Sequence, residues 1–230
     1  TVVKHIECEP GAVHVETSKG AFAGAAAIIT LPVGVLQARP GDAGAVSIHP
    51  AISKHEEALA RVATGPVTRI VMLFREEFWR KGKLAKMSFL QGSDPDVPVW
   101  WTLAPLRAPM LVAWAGGPRG AALALVSAEE RRDRAIAAAA RQFGLPRARL
   151  ASLLVDWWTH NWEEDPYSRG AYSYPLVGGS KAGKTLARPI RGTLYIAGEA
   201  TVDESDSGTV HGAIRSGRRA ATQLARHLGT

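Results

Sequence analysis

Near its C-terminal end the chain reads Tyr195-Ile-Ala-Gly-Glu-Ala-Thr201, and a little later Gly208-Thr-Val-His-Gly-Ala-Ile-Arg-Ser-Gly-Arg-Arg-Ala-Ala221. These residue types predict an apolar strand, a glycine turn carrying one acid, a polar loop, and a helix rich in small residues. The chemistry this suits is binding rather than bond breaking. A helix start presents N–H groups with no partner inside the helix, at the positive end of its dipole. Thr209, Val210 and His211 lead into that start. Gly198 and Ala200 flank Glu199, and small residues let a backbone come close to a flat ligand. The Glu199 carboxylate is an acceptor for hydroxyl donors.

A second group of candidates is aromatic. Trp162-Glu-Glu-Asp-Pro-Tyr-Ser-Arg-Gly-Ala-Tyr-Ser-Tyr174 is a polar loop that carries Trp162, Tyr167 and Tyr172. Aromatic faces attract an ammonium group and orient a neutral amine. Read alone, the same residues fit loop or core anchors. Other chemistries find little support. The chain has seven histidines, and none pairs with another His or an acid at metal-ligand spacing, so no metal site is expected. Ser, His and Asp are present, but no nucleophile elbow is.

Taken together and in order, four segments resemble the flavin-containing amine oxidases, the family of monoamine oxidases, polyamine oxidases and histone lysine demethylases. The first is Ile29-Thr-Leu-Pro-Val-Gly-Val-Leu36, similar to the strand and turn that leave the flavin domain. The second is Thr68-Arg-Ile-Val-Met-Leu-Phe-Arg-Glu-Glu-Phe-Trp79. The third is the Trp162 loop, and the fourth is the terminal motif. The resemblance implies FAD as cofactor and a small-molecule amine as substrate. It implies that Gly198, Glu199, Ala200, Thr209, Val210 and His211 face the flavin, with Glu199 on the ribityl hydroxyls and the helix start on the pyrimidine carbonyl. It also implies that Trp162 and Tyr167 lie near the ring and that Tyr172 walls the amine site.

One departure bears on catalysis. Many family members carry lysine at the second position of the Thr68 strand, where it holds a water against the flavin. This chain has Arg69, which keeps the charge, is bulkier and cannot release its proton. Arg69 fits a water, a substrate carboxylate or a plain ion pair. The phosphate-gripping Gly-x-Gly-x-x-Gly fingerprint is missing. The expected organisation is therefore a C-terminal half: flavin-domain strands over residues 1–36, a substrate-binding domain over 37–189, and a returning flavin-domain strand and helix over 190–230. A complementary FAD-domain polypeptide or a homo-oligomer would complete it. Alternatives of other kinds are a non-catalytic partner-binding remnant, and a related FAD-dependent amino-acid oxidase or desaturase.

The elements that must position these residues follow from pattern. Strands are expected over 2–7, 13–17, 26–30, 68–74, 100–102, 110–115, 153–158 and 193–198. Ser53-Lys-His-Glu56 matches a capping box and predicts a helix carrying Ala58, Leu59 and Val62 on one face, stopped by Gly65-Pro66. Ser127-Ala-Glu-Glu130 is a second capping box, opening a helix that Gly144 stops. The closing helix is expected over 210–227. Residues 161–183 read as loop. Strands and helices alternate irregularly, so the fold class is α+β, a mixed sheet with flanking helices.

The 230 residues are 46% hydrophobic and 21% charged, the composition of a folded globular chain. The net charge of +7 comes from scattered Lys and Arg with no nucleic-acid-binding signature, so no nucleic-acid partner is expected. The Arg215, Arg218 and Arg219 face of the last helix reads as solvated or as contacting the missing half. Cys8 is the single cysteine, which leaves no disulfide, favours a cytoplasmic setting and removes a cysteinyl link to flavin. The FAD is thus expected to be non-covalent. No apolar run is long enough to span a membrane.

Overall fold

The computed structural model describes residues 1–229, apart from the side chain of Lys83. In chain order the elements are β1 (Val3–Glu9), β2 (Ala12–Thr17), β3 (Gly20–Gly24), β4 (Ala27–Ile29), α1 (Val33–Leu36), β5 (Ser47–His49), α2 (Ser53–Leu59) and β6 (Val62–Gly65). Next come β7 (Val67–Phe74), β8 (Phe89–Gln91), β9 (Val99–Thr102), β10 (Met110–Gly116), α3 (Gly117–Ala124), α4 (Ala128–Phe143), α5 (Arg147–Leu153) and β11 (Leu154–Thr159). The chain closes with β12 (Tyr172–Pro175), α6 (Ala182–Leu186), β13 (Leu194–Ile196) and α7 (Val210–Leu228). Two compact units result: residues 66–163 form one, and residues 1–65 with those from 164 onward form the other. The mixed α+β class is as expected.

In the discontinuous unit, β3, β2 and β1 form an antiparallel meander, and β5 adds to β1 in parallel. The Val13–Thr17 alternation shows in the structure, with Val13 buried and His14 exposed. Strand β13 pairs in parallel with β4, Tyr195 opposite Ile28, and all three of its residues are buried. Ile6, Cys8, Val13, Ile29, Ile52, Ile190, Leu194 and Ile196 make one core there. Burial pushes the Cys8 thiol up, against the opposing pull of Arg191.

The first capping box is not used. Ile52, not Ser53, is the N-cap of α2 and makes no side-chain cap. Ile52 is itself buried, so the chain turns into the helix one residue earlier than the Ser-x-x-Glu pattern suggests. The helix ends at Leu59 rather than at Gly65, and Val62 lies in β6. Two influences account for this. Gln37 Nε2 donates to the Leu59 and Val62 carbonyls, at 2.8 and 2.7 Å. The β-branched Val62 and Thr64 also find a distant partner, since β6 pairs with β12 inside the stretch expected to be loop.

The contiguous unit is a five-stranded antiparallel sheet in the order β11-β7-β10-β9-β8, with helices on one face. Residues Ile70, Met72 and Phe74 of β7 and Leu111, Ala113 and Ala115 of β10 bury against Ala135, Ile136, Ala138 and Ala139 of α4. The second capping box holds. Ser127 Oγ accepts from the Glu130 N–H at 3.1 Å, Glu129 and Glu130 suit the positive helix start, and Gly144 closes α4. Phe78 stacks edge-on against Phe74, Trp79 and Phe143, with centroids 4.9, 4.9 and 5.4 Å apart. Among the described residues the buried Arg131 of α4 has no acid partner; it donates to the Leu123 carbonyl at 2.7 Å and to that of Ala124, capping α3.

The opposite face of this sheet carries another pattern. Trp158, Val71, Val112, Trp101 and Phe89 stand in register across all five strands. Arg69 lies on the same face, opposite Trp114.

A polar lock fixes the 92–98 loop to α4. Asp94 Oδ2 accepts from Arg141 Nε at 2.7 Å, and Asp94 Oδ1 accepts from the Val97 and Asp96 N–H groups, both at 3.0 Å. Burial alone would raise the Asp94 carboxyl; the Arg141 hydrogen bond, with those two N–H donors, outweighs it and holds the group below its ordinary value. A carboxyl lowered in the folded state adds stability above its unfolded pKa and loses it as pH falls through the folded one. Asp94→Asn is therefore expected to destabilise the chain by about 1–2 kcal/mol at neutral pH, since Arg141 is half exposed and the pair is partly screened. Urea unfolding across pH checks this: the gap between wild type and variant should close below about pH 4, and a gap that persists in acid would refute the lock.

Candidate functional site

The terminal motif forms a small closed frame in the discontinuous unit. Strand β13 ends at Ile196 and the chain turns at Gly198, whose φ of 147° is open only to glycine. A Cβ there would meet nothing within 4 Å, so glycine is required by conformation and not by crowding. The Gly198 N–H donates to Ser216 Oγ at 2.8 Å, and Ser216 Oγ donates to the Ala213 carbonyl at 2.7 Å. Thr201 closes the turn by donating from its N–H and Oγ1 to the Gly198 carbonyl.

Arg219, one helical turn beyond Ser216, donates to the Thr201 carbonyl at 2.9 Å and to the Ile196 carbonyl. The expectation that this side chain is solvated is corrected here. Arg218 and Arg215 are exposed as expected, but Arg219 turns inward because strand end and turn leave two carbonyls without a partner. Burial pushes its guanidinium below the ordinary arginine value.

The carboxylate of Glu199 faces protein. Its Oε1 accepts from the Ser173 N–H at 3.1 Å, and its Oε2 accepts from Ser173 Oγ and from the Gly208 N–H, both at 2.7 Å. Ser173 is 3% exposed. Tyr172, its neighbour on β12, is 40% exposed. Gly208 has φ of 72°, and a Cβ on it would sit 3.5 Å from the Tyr172 ring. Thr209 follows as the N-cap of α7: its Oγ1 accepts from the Gly212 N–H at 3.0 Å and donates to the Asp206 carbonyl. Among the described residues the Val210 and His211 N–H groups meet no acceptor. Val210 is 78% exposed, and His211 Nε2 lies 3.3 Å from Asp206 Oδ1.

Beside α7, Lys184, Asp203, Asp206, Arg215, Ser216 and Arg219 line a cleft of about 500 Å³. Its cations and acids are mixed, so no single ligand charge is favoured. Tyr167 lines an apolar cleft of about 310 Å³ with Val3, Leu31, Val35 and Val46. Its N–H is held by Asp165 Oδ1 at 2.8 Å.

Arg69 and Trp162 belong to the contiguous unit. Arg69 is exposed, and its guanidinium forms no ion pair among the described residues; its carbonyl accepts from Thr159 Oγ1 at 3.0 Å. The Trp162 ring packs edge-on against His160, centroids 4.4 Å apart. Asn161 anchors that loop by donating to the Ala124 carbonyl at 3.1 Å. The structure thus brings Gly198, Glu199, Ala200, Tyr172, Thr209, Val210 and His211 into one frame. Ser173, Gly208, Ser216 and Arg219 complete it; all four lie inside the quoted motifs, but none is marked there as a site residue. Gly208, the glycine before a helix start, was their one local signal.

Two observations fit a flavin: a capped helix start with unpaired N–H groups, and a glycine turn with open space where a side chain would stand. No metal-ligating cluster of His, Cys, Asp or Glu occurs among the described residues. No helix among them is long and apolar enough to cross a membrane.

Comparison with known proteins agrees. The chain is 30% identical over 223 residues to lysine-specific histone demethylase 1 homolog 3 of Arabidopsis thaliana, covering 92% of this chain and 13% of that protein. It is 28% identical over 179 residues to a flavin-containing amine oxidase of Oncorhynchus mykiss, covering 75% of this chain and 33% of that protein. Putrescine oxidase solved with putrescine bound shares the fold, with a TM-score of 0.79 at 20% identity, over 97% of this chain and 48% of that one. Cyclohexylamine oxidase from Brevibacterium oxydans IH-35A gives 0.79 at 19%, over 99% and 48%. The chain therefore spans about half the length of those solved structures, and a third or less of those two relatives. The family model for flavin containing amine oxidoreductase matches residues 1–225, and the chain belongs to that family.

Proposed function

We propose that this chain supplies the ring-facing and ribityl-facing part of a non-covalent FAD site in an amine oxidase. The observation that carries the reading is the start of α7, capped by Thr209 yet with the Val210 and His211 N–H groups unpaired. Those donors suit the pyrimidine carbonyl of a flavin, and the helix dipole favours negative charge there. Glu199 Oε1 has one protein donor and retains capacity for a ribityl hydroxyl. Gly198 and Ala200 keep the turn low. Bound there, FAD would supply a two-electron acceptor for oxidation of the substrate's C–N bond to an imine that water hydrolyses, with oxygen as the final oxidant and hydrogen peroxide as its product.

The chain's own residues prepare the amine. Tyr172 offers an aromatic face that strips water and orients the free base. In this reading residues 1–36 and 190–230 belong to the flavin domain and 37–189 to the substrate domain. A complementary FAD-domain polypeptide, a second copy, or further sequence of the same protein completes the site. The buried, free Cys8 thiol suits a reducing cytoplasmic setting.

The purified chain tests this directly. Visible absorption with intact mass should show little flavin unless a second polypeptide is present, and a peroxide assay with amines should stay at background. Tight FAD binding with turnover by the single chain would reject the half-site reading.

The unpaired Arg69 guanidinium supports a second substrate class, amino acids, because a permanent cation suits a substrate carboxylate and opposes an ammonium. In the enzyme completed with its FAD-binding half, Arg69→Gln is expected to lower kcat/KM for an α-amino acid by roughly 10- to 100-fold. A simple amine should change by less than about threefold. An equal loss on both substrates would rule out the carboxylate role.

A further inference from the structure

Glu199 stands in the motif as an acid that would touch a cofactor, yet its carboxylate already has three protein donors. Two are backbone N–H groups far apart in sequence. The Ser173 N–H lies on the edge of β12 away from β6, where a further strand would ordinarily supply a carbonyl. The Gly208 N–H lies just before the N-cap of α7. Ser173 Oγ adds a third bond on the same side chain, and Ser173 is almost completely buried. One carboxylate thus bridges the strand that bears Tyr172 and the turn that starts α7, where a Cβ on Gly208 would stand 3.5 Å from the Tyr172 ring.

The base of the bridge is rigid. Gly198 and Thr201 fix the turn, and Ser216 and Arg219 tie it to α7. A carboxylate held so firmly sets the distance between its two partners.

We propose that Glu199 is a positioning residue, whose carboxylate sets the Tyr172 ring and the unpaired Val210 and His211 N–H groups relative to each other and acts on a flavin chiefly through them. The functional part of this rests on the flavin reading above; the bridge itself does not. A shorter or apolar side chain at 199 would leave β12 and the α7 cap correctly folded but free to shift against each other.

Two measurements judge it, the first on the 230-residue chain by itself. Amide hydrogen exchange reads the bridge without any flavin. The Ser173 and Gly208 N–H groups should exchange slowly in the unmutated chain, and roughly tenfold or more faster in Glu199→Ala. The Ala27 and Ala197 amides, which bond between β4 and β13, should stay protected and report an intact fold. Fast exchange of Gly208 in the unmutated chain overturns the proposal even if the variant fails to fold.

Titration of the enzyme completed with its FAD-binding half, with FAD and with lumiflavin, which has the ring but no ribityl hydroxyls, reads the consequence. Positioning predicts that Glu199→Ala weakens both by a similar factor, on the order of tenfold. Loss of FAD affinity with lumiflavin unchanged would make Glu199 a direct ribityl ligand and overturn the proposal. If the completed enzyme with Glu199 intact binds neither, the flavin reading fails and hydrogen exchange alone decides the bridge.

Discussion

The Arg219 guanidinium reaches from inside α7 to two backbone carbonyls, one at the end of β13 and one in the turn after it. A strand, a turn and a helix thereby become one body. Everything in the terminal motif hangs on that body: Ser216 holds the turn at one point, and the turn carries Glu199 to Ser173 and Gly208. An acid in place of the carbonyls would have made an ion pair that any helix could offer its surroundings. Carbonyl partners make the contact specific to this backbone path. The arrangement has a cost, because Arg219 Nε is buried without a partner among the described residues and the charge is partly desolvated. Arginine tolerates this better than lysine, since its charge is spread over a planar group that holds its proton.

The two units solve the same problem in different ways. In the contiguous unit, Arg131 meets the last carbonyls of α3 much as Arg219 meets the end of β13 and the turn after it. The Asp94–Arg141 lock and the Phe78 aromatic cluster then tie loops to α4. Its sheet keeps one face for this packing and leaves the other with an aromatic row and one cation. The discontinuous unit has smaller sheets and depends more on side chains that bond to backbone.

Local patterns in the sequence were reliable where the deciding contact is itself local. Ser127 bonds to Glu130 three residues on, and Thr209 to Gly212, so both helix starts were visible. Ser53 has the same pattern, but the burial of Ile52 moves the helix start, and pairing of Val62–Gly65 with Tyr172–Pro175 shortens the helix. Strand β5 is three residues long and is defined only by its parallel partner β1. Helix α3 opens on Gly117-Pro118, which resembles a turn until the chain is seen to continue helically. The site shows the same division. The motif around Glu199 was legible, while its three hydrogen bonds join residues nine and twenty-six positions away, and no periodicity encodes those.

The division of the chain also orders its assembly in time. Residues 66–163 complete their own core from neighbouring segments, so this unit can fold as soon as that stretch has left the ribosome. The other unit cannot. Its β4 needs β13, its β6 needs β12, and its glycine turn needs a helix at the far end of the chain. Until residues 190–219 are made, β4 waits with an open parallel edge and the core beneath the N-terminal meander lacks Ile190, Leu194 and Ile196, the state in which a nascent chain most depends on chaperones.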